Sequence, residues 1–139
     1  MSELQQNDDL LKRTKALALR IIRLVSSLPK NPVGTVIGYQ ILKSGTSVGA
    51  NYHEANRSRS RAEFLSKTGD SFRELSETRY WLELLAESST IPKNRLTNLI
   101  SETDELGAIL YTIIKKTRSN TTKNTLRKPT NIIETTNQL

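Results

Sequence analysis

Apolar residues recur along this chain at three- and four-residue spacing, the period of helices that each bury one face. From Asp8 to Leu28 the repeat is Leu10, Leu17, Ile21, Leu24 and Leu28, led by Asn7, Asp8 and Asp9, residue types that favour a helix start. Leu11, Ala18, Ile22 and Val25 broaden this face beyond what one neighbouring helix covers, while Lys12, Lys15 and Arg23 take the opposite side. A second segment, Val33 to about Asn56, aligns Ile37, Ile41, Val48, Tyr52 and Ala55, with Gly34, Gly38, Gly45 and Gly49 along the same side or its border. Each glycine costs about 1 kcal/mol against alanine in a helix interior, so a row of them predicts a seam where two backbones approach closely. The alternative is a break near Gly45 to Gly49 that leaves two short helices.

Ser60 followed by Glu63 forms a capping-box pattern before Phe64 and Leu65, and opens a third helix that runs to about Glu87. Its predicted inner face is Phe64, Thr68, Ser71, Leu75, Thr78, Leu82 and Leu85, with Trp81 on the flank. After a loop from Ser88 to Lys93, a fourth helix presents Leu96, Leu99, Ile100, Thr103, Leu106, Leu110, Ile113 and Ile114. No stretch alternates with the strand period, and short connectors set consecutive helices antiparallel. The expected fold is all-α, an antiparallel up-down-up-down four-helix bundle over residues 1–118. From Ser119 the composition turns to Asn, Thr, Lys and Arg around Ile132 and Ile133, which predicts a flexible basic tail over residues 119–139.

A length of 139 residues fits one domain. The chain has no Cys, which excludes disulfides, thiolate nucleophiles and Cys-based metal sites, and its single His argues against most hydrolytic triads. Met1 to Asp9 lacks the basic flank and apolar run of a secretory signal, and Arg20 and Arg23 interrupt the most apolar stretch. A cytoplasmic protein with no membrane partner is expected. With 21 Lys and Arg against 14 Asp and Glu, the net charge is +7, which points to anionic partners and to nucleic acid first. The tail holds Lys123, Arg127 and Lys128 against Glu134, so most of the excess belongs to the helical body.

Gly45-Thr46-Ser47-Val48-Gly49 matches the nucleophile-elbow pattern of α/β-hydrolases, but that motif needs a strand before it and a distant His. Here it lies within a helix-period segment, and His53 falls on a different side from Ser47. Asn51, His53 and Glu54 lack the Glu-x-x-His pairs of bundle metal centres. No catalytic residue, metal ligand or cofactor is therefore assigned, and no enzymatic activity is expected. The informative set is basic: Lys12, Arg13, Lys15, Arg20 and Arg23, then Arg57, Arg59 and Arg61 in alternation before the third helix. Arg forms bidentate contacts with phosphate, so such a turn suits an RNA or DNA backbone. The plainer reading is a solvated surface paired with Glu54 and Glu63. Aromatics are too sparse for a platform of stacked bases, and no recognised nucleic-acid module is present.

The stretch Ser44-Gly-Thr-Ser-Val-Gly-Ala-Asn51-Tyr-His-Glu54, continued through Arg57-Ser-Arg-Ser60-Arg-Ala-Glu63-Phe64 to Glu77-Thr-Arg-Tyr-Trp81-Leu-Glu-Leu-Leu85, resembles the 23S rRNA intervening-sequence proteins. That family in turn resembles the accessory variability determinants of diversity-generating retroelements. The likeness spans Leu10 to Arg118, with its specific part between Ser44 and Leu85; Asn51, Glu54, Ser60, Glu63 and Phe64 match at the junction of the second and third helices. The resemblance implies a ring-like homopentamer of antiparallel bundles without enzymatic activity that binds nucleic acid. In the retroelement branch it implies association with a reverse transcriptase and its template RNA. This chain departs from the family pattern at Asn56-Arg57-Ser58-Arg59, where many members have a Gly-rich turn with one Arg.

Surplus apolar surface on a helical chain marks an interface. The expected oligomer contact draws on Leu11, Ile22, Gly38, Gly45, Gly49 and Trp81. Five copies would multiply the +7 charge and make weak single contacts add through avidity. A protein-interaction scaffold without direct nucleic-acid contact is the competing expectation.

Overall fold

The structure, a computed structural model, describes residues 2–127, the last seven of them as backbone only. Four helices follow one another: α1 (Glu3–Ser26), α2 (Pro32–Asn56), α3 (Arg61–Glu87) and α4 (Lys93–Arg127), with no strand among the described residues. Their starts are set by side chains that satisfy otherwise orphaned backbone donors. Ser2 Oγ accepts from the Gln5 N–H at 3.2 Å while Gln5 Oε1 accepts from the Ser2 N–H at 2.9 Å. This capping box starts α1 at Glu3, ahead of the expected Asp8, and frees Asn7 for another use. Asn31 Oδ1 accepts from the Gly34 N–H at 2.9 Å, and Pro32 occupies the first turn of α2, where its missing N–H is harmless.

Two further boundaries differ from the expected ones, while α3 starts behind its Ser60 cap as expected. Helix α1 ends at Ser26, although Leu28 beyond it is still buried. Ser60 caps the Glu63 N–H at 3.1 Å, but the Glu63 carboxylate accepts from the Arg59 N–H at 3.2 Å, so the box closes one residue upstream. Helix α4 continues through Ser119 to Arg127, because no Gly or Pro interrupts it before Pro129. The rest of the expected tail, 128–139, lies outside the described residues.

Neighbouring helices pack in the order α1 on α2, α2 on α3, and α3 on α4, with α4 meeting α1 along the thinnest of these four contacts. The core contains Leu10, Leu17, Ile21, Ile41, Val48, Tyr52, Leu75, Leu82, Leu85, Leu96, Leu106 and Leu110. Hydroxyls are buried beside it. Ser71 Oγ donates to the Val48 carbonyl at 2.7 Å and Thr78 Oγ1 to Ser44 Oγ at 2.9 Å, tying α3 to α2.

Helix α2 is unbroken across Gly45 to Gly49. Three of its glycines face α1 and its C-terminal end: a Cβ on Gly38 would meet Leu28 and Val25, on Gly45 Ile21, and on Gly49 Thr14, whereas one on Gly34 would meet the Pro29 carbonyl of the connector. Partner positions on α1 fall as those on α2 rise. The close-approach seam predicted from the glycine row is therefore internal to the protomer, which corrects the assignment of Gly38, Gly45 and Gly49 to an oligomer contact. Without side chains there, Ile21 and Thr14 lodge directly on the α2 backbone, and all three glycines are buried.

Candidate nucleic-acid interface

The cations singled out in the sequence do not form one patch. Arg13 is engaged internally: Nη2 lies 2.6 Å from Glu102 Oε1, Nε donates to Glu102 Oε2 at 3.2 Å, and Glu105 and Asp9 stand at 3.4 and 3.8 Å. The hydrogen bond to Glu102 raises the guanidinium pKa above its ordinary value. This network fastens α1 to α4 along their thin contact and removes Arg13 from the phosphate-binding set.

Arg57 and Arg59 occupy the turn between α2 and α3, Arg61 opens α3, and all three are exposed. The acids that could neutralise them are engaged elsewhere. Glu54 Oε2 lies 2.7 Å from Lys67 Nζ, and the Glu63 carboxylate takes a backbone N–H. Among the described residues no ion pair forms on these three guanidiniums. The turn is docked against the start of α1, where Asn7 Nδ2 donates to Asn56 Oδ1 and Tyr52 Oη donates to Asn7 Oδ1, each at 2.6 Å. Burial pushes the Tyr52 phenol up to about 12.

That docking separates the two halves of the predicted site. At 1.5 Å per residue, Arg20 and Arg23 lie about 20 and 24 Å farther along α1 than Asn7, towards the opposite end of the bundle. Lys12 and Lys15 are exposed and closer, about 8 and 12 Å along the same helix. The cations that do accompany the turn come from α4. Lys116 lines the same cavity as Asn7, Tyr52 and Phe64, with exposed Lys115 and Arg118 in the adjoining turn. Their signal in the sequence is the run Lys115-Lys116-Thr117-Arg118, which acquires meaning only once α4 returns to this end.

The remaining expected interface residues divide. Leu11 and Trp81 are half-buried against the core, and Trp81 Nε1 donates to Glu77 Oε1 at 3.3 Å. Ile22 stays 43% exposed near Leu19 on α1. The more open apolar positions are Leu4 on α1, Val36 and Tyr39 on α2, Tyr80 on α3 and Tyr111 on α4, none of which periodicity distinguishes from solvated surface. Ser47 sits inside α2 with its hydroxyl donating to the Lys43 carbonyl at 2.7 Å, so no nucleophile elbow forms there. Among the described residues no three His, Asp or Glu side chains gather as a metal site, and no helix is long and apolar enough to cross a membrane.

The family model described as 23S rRNA-intervening sequence protein matches residues 6–112, ending just before Lys115. A crystal structure of a protein of unknown function from the S23 ribosomal protein family of Bacteroides thetaiotaomicron VPI-5482 is similar in fold and sequence. It has 35% identity and a TM-score of 0.74, covering 78% of this chain and 97% of that one. No functionally curated protein matches the chain. With most of α1 through α4 inside the matched span and a solved relative of similar fold, the chain belongs to the 23S rRNA-intervening sequence protein family.

Proposed function

We propose that this protein is a non-catalytic accessory factor that holds the phosphate backbone of RNA or DNA on the cationic end of an antiparallel up-down-up-down bundle. The observation that carries the reading is the exposed Arg57, Arg59 and Arg61 turn, whose nearby acids are held by Lys67 and by the backbone, at the end of the bundle where Lys116 lines a cavity with Tyr52 and Phe64. Unpaired guanidiniums on a short turn match phosphate oxygens bidentately and need no base contact. Homo-oligomerisation, as a ring of five in the family's pattern, is supported by the apolar side chains left open at Ile22, Leu19, Val36 and Tyr39.

The test is a salt titration of binding to short RNA and DNA, with the wild type and with Arg57, Arg59 and Arg61 together replaced by Gln. Each lost phosphate contact reduces the slope of log K against log salt by about 0.7–0.9, so the triple variant is expected to lower the slope by about 2. No association at low salt, or an unchanged slope, overturns the proposal. Sedimentation showing a folded solitary subunit at micromolar protein overturns the oligomer. A reverse transcriptase is the partner implied by the retroelement branch, and a neighbouring reverse-transcriptase gene selects it; insertion within a ribosomal RNA gene selects ribosomal RNA instead.

A further inference from the structure

We infer that the cavity at the arginine-bearing end accepts one unpaired base of a single-stranded nucleic acid, while the flanking phosphates lie on Arg61 and Lys116. This rests on the backbone-binding reading above and adds which form of strand the site prefers. The cavity measures about 300 Å³ and is walled by Phe64 at the start of α3 and Ile113 on α4. That volume is at the lower end of the range for small-ligand sites, about 300–1,000 Å³. Polar groups converge on it. Asn7 gives one amide hydrogen to Asn56 and one oxygen lone pair to Tyr52, which leaves it a second N–H and a second lone pair. A side-chain amide with both free is the group that reads donor and acceptor edges of a base. Asn120 adds another amide on the α4 side.

The charge around the cavity argues for a base rather than a phosphate within it. Glu3 and Lys116 both line it, so it offers no net positive charge, whereas a neutral planar ring carrying donors and acceptors suits it. The positive charge lies just outside. Arg61 is three residues before Phe64 on α3, one helical turn away on the same face, and Arg57 follows Asn56, which is bonded to Asn7. A strand whose phosphate rests on Arg61 therefore has its base within reach of the Phe64 ring. One aromatic serves one base, so the sparse aromatics of the chain suffice for a single pocket, though not for a platform. Stacking on one side chain changes affinity by about fivefold to a hundredfold. A duplex, with its bases paired and stacked, cannot use the pocket.

The experiment measures anisotropy of the full chain at low salt with a short single-stranded RNA, its DNA counterpart, versions of both containing abasic sites, and a blunt duplex of equal charge. We expect the intact single strands to bind more tightly than the duplex, and abasic sites to weaken binding by about fivefold or more. Phe64→Ala should abolish this discrimination, Phe64→Tyr should keep it, and both should still bind duplex. A stronger effect with the ribo- or the deoxyribo-strand identifies which nucleic acid supplies the base. Abasic strands that bind the unaltered protein as tightly as intact ones overturn the inference without any variant, and leave backbone binding standing. If no oligonucleotide binds, duplex included, the underlying reading falls and the pocket with it.

Discussion

Adding one methyl group at Gly45 tests whether the glycine row is an internal seam. An ideal Cβ there lies 2.8 Å from Ile21 Cγ1, 3.0 Å from Cγ2 and 3.2 Å from Cβ. Ile21 is fully buried, and a β-branched side chain in a helix holds essentially one χ1 rotamer, so it cannot swing aside. Its Cβ moves only with the α1 backbone. Helix propensity favours Gly45→Ala by about 1 kcal/mol, whereas overpacking a tight site costs about 1–3 kcal/mol. Because backbone must shift, the upper part of that range applies, and the net loss should be about 1–2 kcal/mol. Urea unfolding followed by circular dichroism, repeated at two protein concentrations, separates protomer stability from association.

A double-mutant cycle then isolates the contact. Ile21→Ala removes both γ carbons and alone should cost about 2–5 kcal/mol. In that background the two shorter clashes are gone and only the 3.2 Å approach to the residue 21 Cβ remains, so most of the overpacking cost is relieved and the two changes should couple by about 2 kcal/mol. Stabilisation of the otherwise unaltered protein by Gly45→Ala, or strict additivity, refutes the seam. A shift in oligomeric state with unchanged protomer stability returns Gly45 to a contact between copies.

Other positions give sharper contrasts. Gly69→Ala meets nothing nearer than Arg73 Nη1 at 3.8 Å, so thermal or urea unfolding should show a gain of about 0.5–1 kcal/mol. Arg13→Met breaks the partly buried network with Glu102 and should cost about 1–2 kcal/mol, with the loss reduced when Glu102→Gln is already present. Burial raises the Tyr52 phenol from the ordinary value near 10 to about 12, so the folded state favours its protonated form. That contribution is complete below pH 10 and is lost as pH rises through 12, by up to about 2–3 kcal/mol; the stability profile of Tyr52→Phe should lack this part of the alkaline decline.

Most of the inner face of α3 was legible because spacing alone identifies it: Thr68, Ser71, Leu75, Thr78, Leu82 and Leu85 are buried, while Phe64 at the helix start is half-buried and borders the cavity. Even its hydroxyl members hold register, since what the period reports is position on the face and not polarity. Helix ends were less legible. Ser2 to Asn7 carries hardly any core side chains, so apolar periodicity is blind to the first turns that the Ser2 and Gln5 caps create. The density of arginine at residues 57–61 was visible, but its grouping with Arg20 and Arg23 was not sound. A shared polar face says nothing about position along the axis, and the Tyr52–Asn7–Asn56 chain that sets the axial register joins residues far apart in sequence. Arg13 escapes local pattern for a related reason: its partner Glu102 lies on another helix, where local spacing has no voice.

Placing the cations at an end of the bundle, not along its length, limits what one protomer can hold. On the proposed backbone-binding reading, Arg57, Arg59, Arg61 and Lys116 would offer about three or four phosphate contacts, for a salt slope of roughly −2 to −4. Such a footprint would bind weakly near physiological salt, and the proposed function would then draw its affinity from several ends on one strand. The slope therefore counts engaged ends. For a long RNA it should steepen well beyond −4 as protein concentration passes through the assembly transition, while a strand short enough to span one end keeps the shallow value. A shallow slope at every protein concentration and strand length would mean that protomers bind one at a time. The cationic turn would then act without the avidity that links it to oligomerisation.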